Sequence, residues 1–146
     1  MLDRINKDIV DAMKNKDSLK LATLRMLKGA IDLERINKKL DKLSDEDIVV
    51  IIGKQIKTRK ESILEFEKGN RQDLVDKTNE EINILNIYMP EMLSEDEISV
   101  IVDEAITETN ASSVKDMGSV MKIVSPKLKG KADMSLVSMI IKNKLN

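Results

Sequence analysis

The sequence predicts an all-α protein in which an N-terminal four-helix subdomain precedes a small C-terminal three-helix subdomain. Apolar residues recur three and four positions apart along the chain, and its β-branched residues form no alternating runs. Only two prolines occur in 146 residues. A proline disfavours helical geometry in the residue before it, so Met89-Pro90 should interrupt the helices. We therefore expect the two subdomains to be residues 1–90 and 91–146.

Two helices are predicted at the start of the first subdomain. Helix one covers about Leu2–Lys14, and helix two runs from Asp17-Ser18 to about Lys38. Helix two carries apolar residues on two faces, namely Leu21, Leu24, Leu27 and Ile31 on one and Leu19, Ala22, Met26, Ala30 and Leu33 beside them. A helix that is apolar on two sides is usually enclosed by other helices, so helix two should be central in the bundle.

The next two helices form a predicted hairpin. The run Ser44-Asp45-Glu46-Asp47 resembles a capping box and begins helix three, which continues to about Lys68. Gly69-Asn70 ends that helix, and helix four then runs from about Gln72 to Tyr88.

Three shorter helices are predicted in the second subdomain. Ser94-Glu95-Asp96-Glu97 is an S-x-x-E capping box and begins helix five. Helix six covers about Ser113–Val124 with Pro126 just beyond its end, and Ser125 to Lys131 reads as a loop. Asp133 is a good N-cap and begins helix seven.

The composition excludes several classes of function. The chain has no histidine and no cysteine, which removes the usual zinc sites, the thiol nucleophile and the commonest general base. Phe66 and Tyr88 are the only aromatic residues, so the stacking platforms of single-strand RNA readers are missing. We expect no cofactor, no metal and no catalytic residues.

The same composition bears on location and partners. No apolar run is long enough to cross a bilayer, and the first residues contain no signal-peptide apolar core. We therefore expect a cytoplasmic protein without a membrane partner. A net charge of −1 requires that any polyanion site be local.

Charge changes sign along the C-terminal part of the chain. Between Glu91 and Glu108 there are seven acids and no basic residue, whereas from Val114 to the end there are seven lysines and only two acids, Asp116 and Asp133. Such a polarised segment often forms a surface for a negatively charged ligand.

A group of lysines in the basic part forms the candidate nucleic-acid site. Its members are Lys115, Lys122, Lys127, Lys129 and Lys131. The last three surround Gly130 and precede the N-terminus of helix seven, where backbone amides attract phosphate. Asp133 would compete for those amides. The alternative is an ordinary solvated face without a ligand.

Arg59 interrupts the apolar stripe of helix three. If helices three and four are antiparallel, Arg59 lies opposite Glu80 or Glu81. We expect a structural ion pair that joins the hairpin. The alternative makes Arg59 an anion clamp supported by Glu81.

Two further residues carry packing predictions. Arg25 lies between apolar neighbours on helix two and is expected to reach across to an acid. Gly118 would cost helix six about 1 kcal/mol relative to alanine, so we expect it to permit a close approach between helices.

An ordered set of short motifs resembles the GatB/YqeY family. The motifs are Leu24-Arg25-Met26-Leu27, Arg71-Gln72-Asp73-Leu74, Glu81 followed by Tyr88-Met89-Pro90, Asp116-Met117-Gly118 and Gly130-Lys131-Ala132-Asp133. They span essentially the whole chain, which therefore resembles a stand-alone YqeY-like protein. Three residues depart from the family pattern: Met89 replaces a common leucine, Lys131 a common arginine and Met134 a common glycine. Lysine at position 131 lacks the bidentate fork of arginine.

The resemblance implies two helical subdomains and a link to tRNA. In its other setting, this module is the C-terminal tail of the B subunit of glutamine-dependent tRNA amidotransferase, a carbon–nitrogen ligase with glutamine as amido-N-donor. The tail engages tRNA, while the catalytic centres lie elsewhere. The resemblance thus implies a tRNA-binding or accessory protein whose partners are tRNA and an amidotransferase or another translation-related protein. The alternative is a helical protein-interaction module, and an enzyme is the third hypothesis.

Overall fold

The computed structural model describes residues 1–146 and contains only helices and their connections. The α-helices are α1 (Leu2–Lys14), α2 (Ser18–Asn37), α3 (Asp45–Lys68), α4 (Gln72–Asn86), α5 (Glu95–Thr109), α6 (Met117–Leu128) and α7 (Met134–Leu145), with a 3₁₀ helix at Val114–Asp116. The all-α prediction is confirmed, with seven α-helices and no strand. None of these helices has the length and apolar character that would be needed to cross a bilayer.

The chain divides into two compact units, Met1–Met89 and Pro90–Asn146. In the first unit, α1 to α4 surround a core that includes Ile5, Leu24, Leu27, Ile31, Ile48, Ile52 and Leu85. In the second unit, α5 to α7 surround a core that includes Ile98, Val102, Val120, Val124, Leu128, Val137 and Ile141. The division into a four-helix subdomain of residues 1–90 and a three-helix subdomain of residues 91–146 stays a prediction.

The predicted start signals act as helix caps. The Ser44 hydroxyl accepts a hydrogen bond from the Asp47 amide at 3.1 Å, and Ser94 does the same for Glu97 at 3.2 Å. The Glu97 carboxylate accepts in return from the Ser94 amide at 3.4 Å, which completes a capping box.

Helix α6 begins and ends later than predicted. Asp116 accepts hydrogen bonds from the amides of Ser112 and Ser113 at 2.9 and 3.3 Å, which holds the preceding residues in a 3₁₀ turn. Pro126 lies inside the last turn of α6 rather than beyond it. Because Leu128 is fully buried in the same core as Val124, its burial offsets the hydrogen bond that a proline cannot donate.

Helix α2 is covered on one face only. Leu24, Leu27 and Ile31 are buried, whereas Met26 is 61% exposed and Leu33 is 60% exposed. Helix α2 packs against α1, α3 and α4, which supports the prediction that it is central in the bundle, although one of its two apolar faces is not covered. Its second apolar face meets solvent.

Candidate nucleic-acid interface

The five lysines of the candidate site lie on three consecutive elements of the second unit. Lys115 is in the 3₁₀ helix, Lys122 and Lys127 are in α6, and Lys129 and Lys131 belong to the turn that follows. All except Lys129 are exposed. None of the four exposed lysines forms an ion pair, so their ammonium groups are free to meet a ligand.

Lys129 differs from the other four lysines. Its side chain is half-buried, and it already takes part in a polar or electrostatic interaction. Lys129 is therefore a poorer phosphate ligand than its neighbours.

The turn after α6 requires a glycine at position 130. Lys129 has φ −57° and ψ 125°, Gly130 has φ 74°, and the Lys131 amide donates to the Leu128 carbonyl at 2.9 Å. These are the features of a type II turn, which requires a positive φ at its third residue. Gly130 is buried. Its role is therefore in the turn.

The two acids of the basic segment serve as local caps. Asp133 accepts from the Ser135 amide at 2.9 Å at the start of α7, so its carboxylate competes with a phosphate at this helix terminus. Hydrogen bonds from Ser112 and Ser113 lower the pKa of Asp116. Both carboxylates therefore bond to backbone amides and leave the exposed lysines without acidic partners.

The lysines of α6 do not share one face. At 3.6 residues per turn, Lys122 and Lys127 are about 140° apart around the helix axis. Lys127 and Lys131 lie four positions apart, at the C-terminal end of α6 and in the turn after it, whereas Lys122 is in the middle of α6 and Lys115 is in the 3₁₀ helix before it. By position in the chain, the exposed lysines therefore form two groups, Lys127 with Lys131 and Lys115 with Lys122.

One contact links the acidic and basic parts of the sequence. The Lys144 ammonium of α7 lies 2.9 Å from the Asp103 carboxylate of α5. One lysine of the basic segment is therefore paired with an acid of the acidic segment within the second unit.

Arg59 pairs with Glu81 across the α3–α4 hairpin. Its Nε donates to Glu81 Oε2 at 2.9 Å, and its Nη1 donates to the Gln55 carbonyl at 3.3 Å. Arg59 is 9% exposed. Glu80 is exposed and makes no such pair. This geometry leaves Arg59 little capacity for an external anion.

Tyr88 has a role that the sequence pattern missed. Its hydroxyl donates to Asp8, 80 positions earlier, and the Arg4 guanidinium lies 5.1 Å from the centre of its ring. Burial, reinforced by the bond to Asp8, raises the pKa of the Tyr88 hydroxyl. A buried tyrosine usually has a hydrogen-bond partner for its hydroxyl, so the sequence could have predicted that Tyr88 has one. The spacing of residues along the chain could not identify that partner as Asp8.

The structure contradicts two packing predictions. Arg25 is exposed and reaches no acid. Gly118 is also exposed, and a Cβ added there would meet nothing within 4 Å. Neither residue serves the internal packing that the sequence suggested.

A shallow depression of about 550 Å³ lies along the end of α3 and is lined by Glu61, Leu64, Glu65, Glu67 and Lys68. No group of three or more acidic side chains lies close enough together to hold a metal ion.

Comparison with known sequences gives a match over nearly the whole chain. The family described as "Yqey-like protein" matches residues 2–145. This agrees with the resemblance that the ordered motifs indicated.

Curated relatives come from several fungi. "Altered inheritance of mitochondria protein 41, mitochondrial" of Pyrenophora tritici-repentis is 34% identical over 135 residues, which cover 90% of this chain and 73% of the relative. The proteins of the same name from Lachancea thermotolerans and Kluyveromyces lactis are each 35% identical over 111 residues. Those matches cover 75% and 74% of this chain but only 59% and 60% of the relatives.

The names of these relatives bear on location. All three are named as mitochondrial proteins. The cytoplasmic location predicted from the sequence is therefore contradicted.

Proposed function

This chain belongs to the family of Yqey-like proteins, and we propose that it is a tRNA-binding accessory protein related to glutamine-dependent tRNA amidotransferase. In this proposal, it has no catalytic centre of its own. The chain would supply a surface that holds RNA, and any amide transfer would be carried out by another protein.

The observation that carries the proposal is the state of the lysines in the second unit. Lys115, Lys122, Lys127 and Lys131 are exposed, and they form no ion pairs. The nearby acids Asp116 and Asp133 are occupied as caps. Free ammonium groups of this kind suit the phosphate backbone of RNA, where contacts position the ligand without reading its sequence.

The placement of the lysines suggests how RNA would bind. The pair Lys127–Lys131 at the end of α6 would form the main contact, and the pair Lys115–Lys122 would contact phosphates on another side of the helix. Because the unit has no exposed aromatic platform, the shape of a folded RNA would provide selectivity rather than base stacking.

A titration of tRNA at low salt tests the two pairs separately. We expect K127A/K131A to weaken binding about tenfold and K115A/K122A to weaken it less, since each lost phosphate contact removes part of a salt-dependent attraction. The matched control is K54A/K57A, which removes two exposed lysines of α3 and lowers the net charge equally. Equal loss in all three variants would indicate a net-charge effect and would contradict the proposed site.

The alternative function, a protein-interaction module, also has specific support. Val100 of α5 is 57% exposed and Met139 of α7 is 56% exposed, so the second unit presents apolar groups as well as lysines. Affinity purification from cell extract with and without RNase separates the two functions. A partner that survives RNase treatment and competes with tRNA would favour the alternative.

A further inference from the structure

The exposed face of α2 has a regular apolar pattern. Its members, which we call the α2 seam, are Ala22, Met26, Gly29, Leu33 and Ile36. Their spacing of four, three, four and three residues is the heptad pattern of helices that pair with other helices. The buried residues of α2 lie on the opposite side. Met26 Sδ lies 3.9 Å from Arg59 Nη2, but this contact leaves most of the Met26 side chain exposed and does not explain the rest of the seam.

The seam contains three large apolar residues and two small residues. Met26, Leu33 and Ile36 are 60–61% exposed, whereas Ala22 and Gly29 leave gaps between them. A Cβ added at Gly29 would meet nothing within 4 Å, so this glycine is not required by any contact within the chain. An open glycine inside a helix costs about 1 kcal/mol relative to alanine, which makes its position in the seam informative.

We propose that α2 pairs in an antiparallel arrangement with α2 of a second copy of this chain. The two-fold axis passes beside residues 27 and 28. Met26 then faces Gly29 of the second copy, Leu33 faces Ala22, and Ile36 faces Leu19. Met26 and Leu33 each meet a small residue, Ile36 meets Leu19 in the first turn of the opposing helix, and the isologous contact closes as a dimer.

Charge selects this register. Arg25 and Asp32 flank the seam on the same side, at the positions that form ion pairs between paired helices. Neither residue has an ion-pair partner within its own chain. In the proposed register, Arg25 faces Asp32 of the second copy, and symmetry forms this pair twice.

A shifted antiparallel register and a parallel pairing of the same seam are both less favourable. An antiparallel shift of one heptad places Arg25 against Lys39 of the second copy and Asp32 against its own equivalent, so like charges meet. Parallel pairing places Gly29 against Gly29 and leaves both flanking charges without partners. The proposed register also superposes α2 along its whole length, because Ser18 and Asn37 are its end residues.

Charge reversal tests the pairing by sedimentation velocity over a range of concentrations. We expect the parent to dimerise, and R25D and D32R each to weaken dimerisation about tenfold because two attractive pairs become repulsive. The double variant R25D/D32R restores opposite charges and should recover the dimer. An equimolar mixture of R25D and D32R should also recover it as a heterodimer.

Cysteine cross-linking tests the direction and register. The chain has no native cysteine, so each introduced thiol is unique. A mixture of L19C and I36C should form a disulfide-linked dimer on oxidation, while L19C alone and I36C alone should not, because equivalent positions lie about 25 Å apart along an antiparallel pair.

Several results would overturn the proposal. A parent that stays monomeric at high concentration excludes the pairing, and cross-linking of L19C alone indicates a parallel arrangement instead. Circular dichroism of every variant checks that the helices persist, which is expected because the reversed charges are on the surface. Equal dimerisation of R25D and the parent would show that charge does not set the register.

Discussion

The two units of the chain treat polar side chains differently. The buried polar residues, Thr23, Asp47, Arg59 and Thr78, all belong to the first unit. The second unit buries only apolar side chains in its core and keeps its charges at the surface. Buried charged residues of the first unit therefore serve its internal structure, whereas the second unit keeps four exposed lysines without ion pairs, Lys115, Lys122, Lys127 and Lys131.

Residues of the family motifs therefore have different roles in the two units. Glu81 completes an internal ion pair with Arg59, and the Tyr88 hydroxyl bonds to Asp8. Lys127 and Lys131, which the sequence offers as nucleic-acid contacts, remain without acidic partners. Substitutions of Glu81 and Tyr88 should therefore affect stability, and substitutions of the two lysines should affect binding.

The largest expected effect is at the Arg59–Glu81 pair. Replacing Glu81 by Gln leaves a nearly buried guanidinium without its counter-charge, which should lower the free energy of unfolding by about 3 kcal/mol. Denaturant unfolding at pH 7 measures this loss. Glu80→Gln is the matched control and should change stability by less than about 0.5 kcal/mol, because Glu80 is exposed. Equal effects of the two substitutions would show that the hairpin pair is not structural.

The second effect concerns Tyr88 and depends on pH. Tyr88→Phe removes the hydrogen bond to Asp8 and should cost about 2 kcal/mol at neutral pH. Because the pKa of Tyr88 is raised in the folded protein, the unfolded chain loses this proton first as pH rises. The stabilisation is therefore complete below about pH 10 and declines above it.

The difference between parent and Tyr88→Phe isolates that contribution. All other ionisable groups are the same in the two proteins, so their contributions cancel in the difference. The difference in unfolding free energy should be constant from neutral pH to about pH 9 and shrink above pH 10. A difference that grows with pH would contradict the assigned hydrogen bond.

The third and smallest expected effect is on stability and concerns two glycines of the second unit. Gly130→Ala places a side chain at φ 74° and should destabilise the unit by about 1–2 kcal/mol. Gly118→Ala adds a methyl group to an open helical position and should stabilise it by up to about 1 kcal/mol. Thermal unfolding of the two variants should shift in opposite directions. A shift in the same direction would contradict the assigned turn or the exposed position.

Local signals predicted much of the fold because they act over a few residues. Ser44, Ser94 and Asp133 cap helices where the sequence placed them, and the helical period identified every α-helix. The limits of α6 were missed because two effects compete there. Bonds from backbone amides to Asp116 delay the start, and burial of Leu128 carries the helix past Pro126.

Features that depend on tertiary contacts were harder to predict. Helical spacing could not reveal the Tyr88–Asp8 bond, since the partners are 80 positions apart. The exposure of Met26 and Leu33 was missed for a related reason, because an apolar pattern looks the same whether another helix of the chain covers it or none does. The candidate lysines were visible in the sequence, but their division into two pairs required the limits of α6.

The salt dependence of tRNA binding tests the central claim most directly. The parent should lose affinity with a slope of log K against log salt of about −3, as expected for about four phosphate contacts. The variant K115A/K122A/K127A/K131A should unfold at the same temperature as the parent and show a slope close to zero. Equal slopes for the two proteins would contradict the account, because the free lysines of the second unit would then not be the RNA contacts.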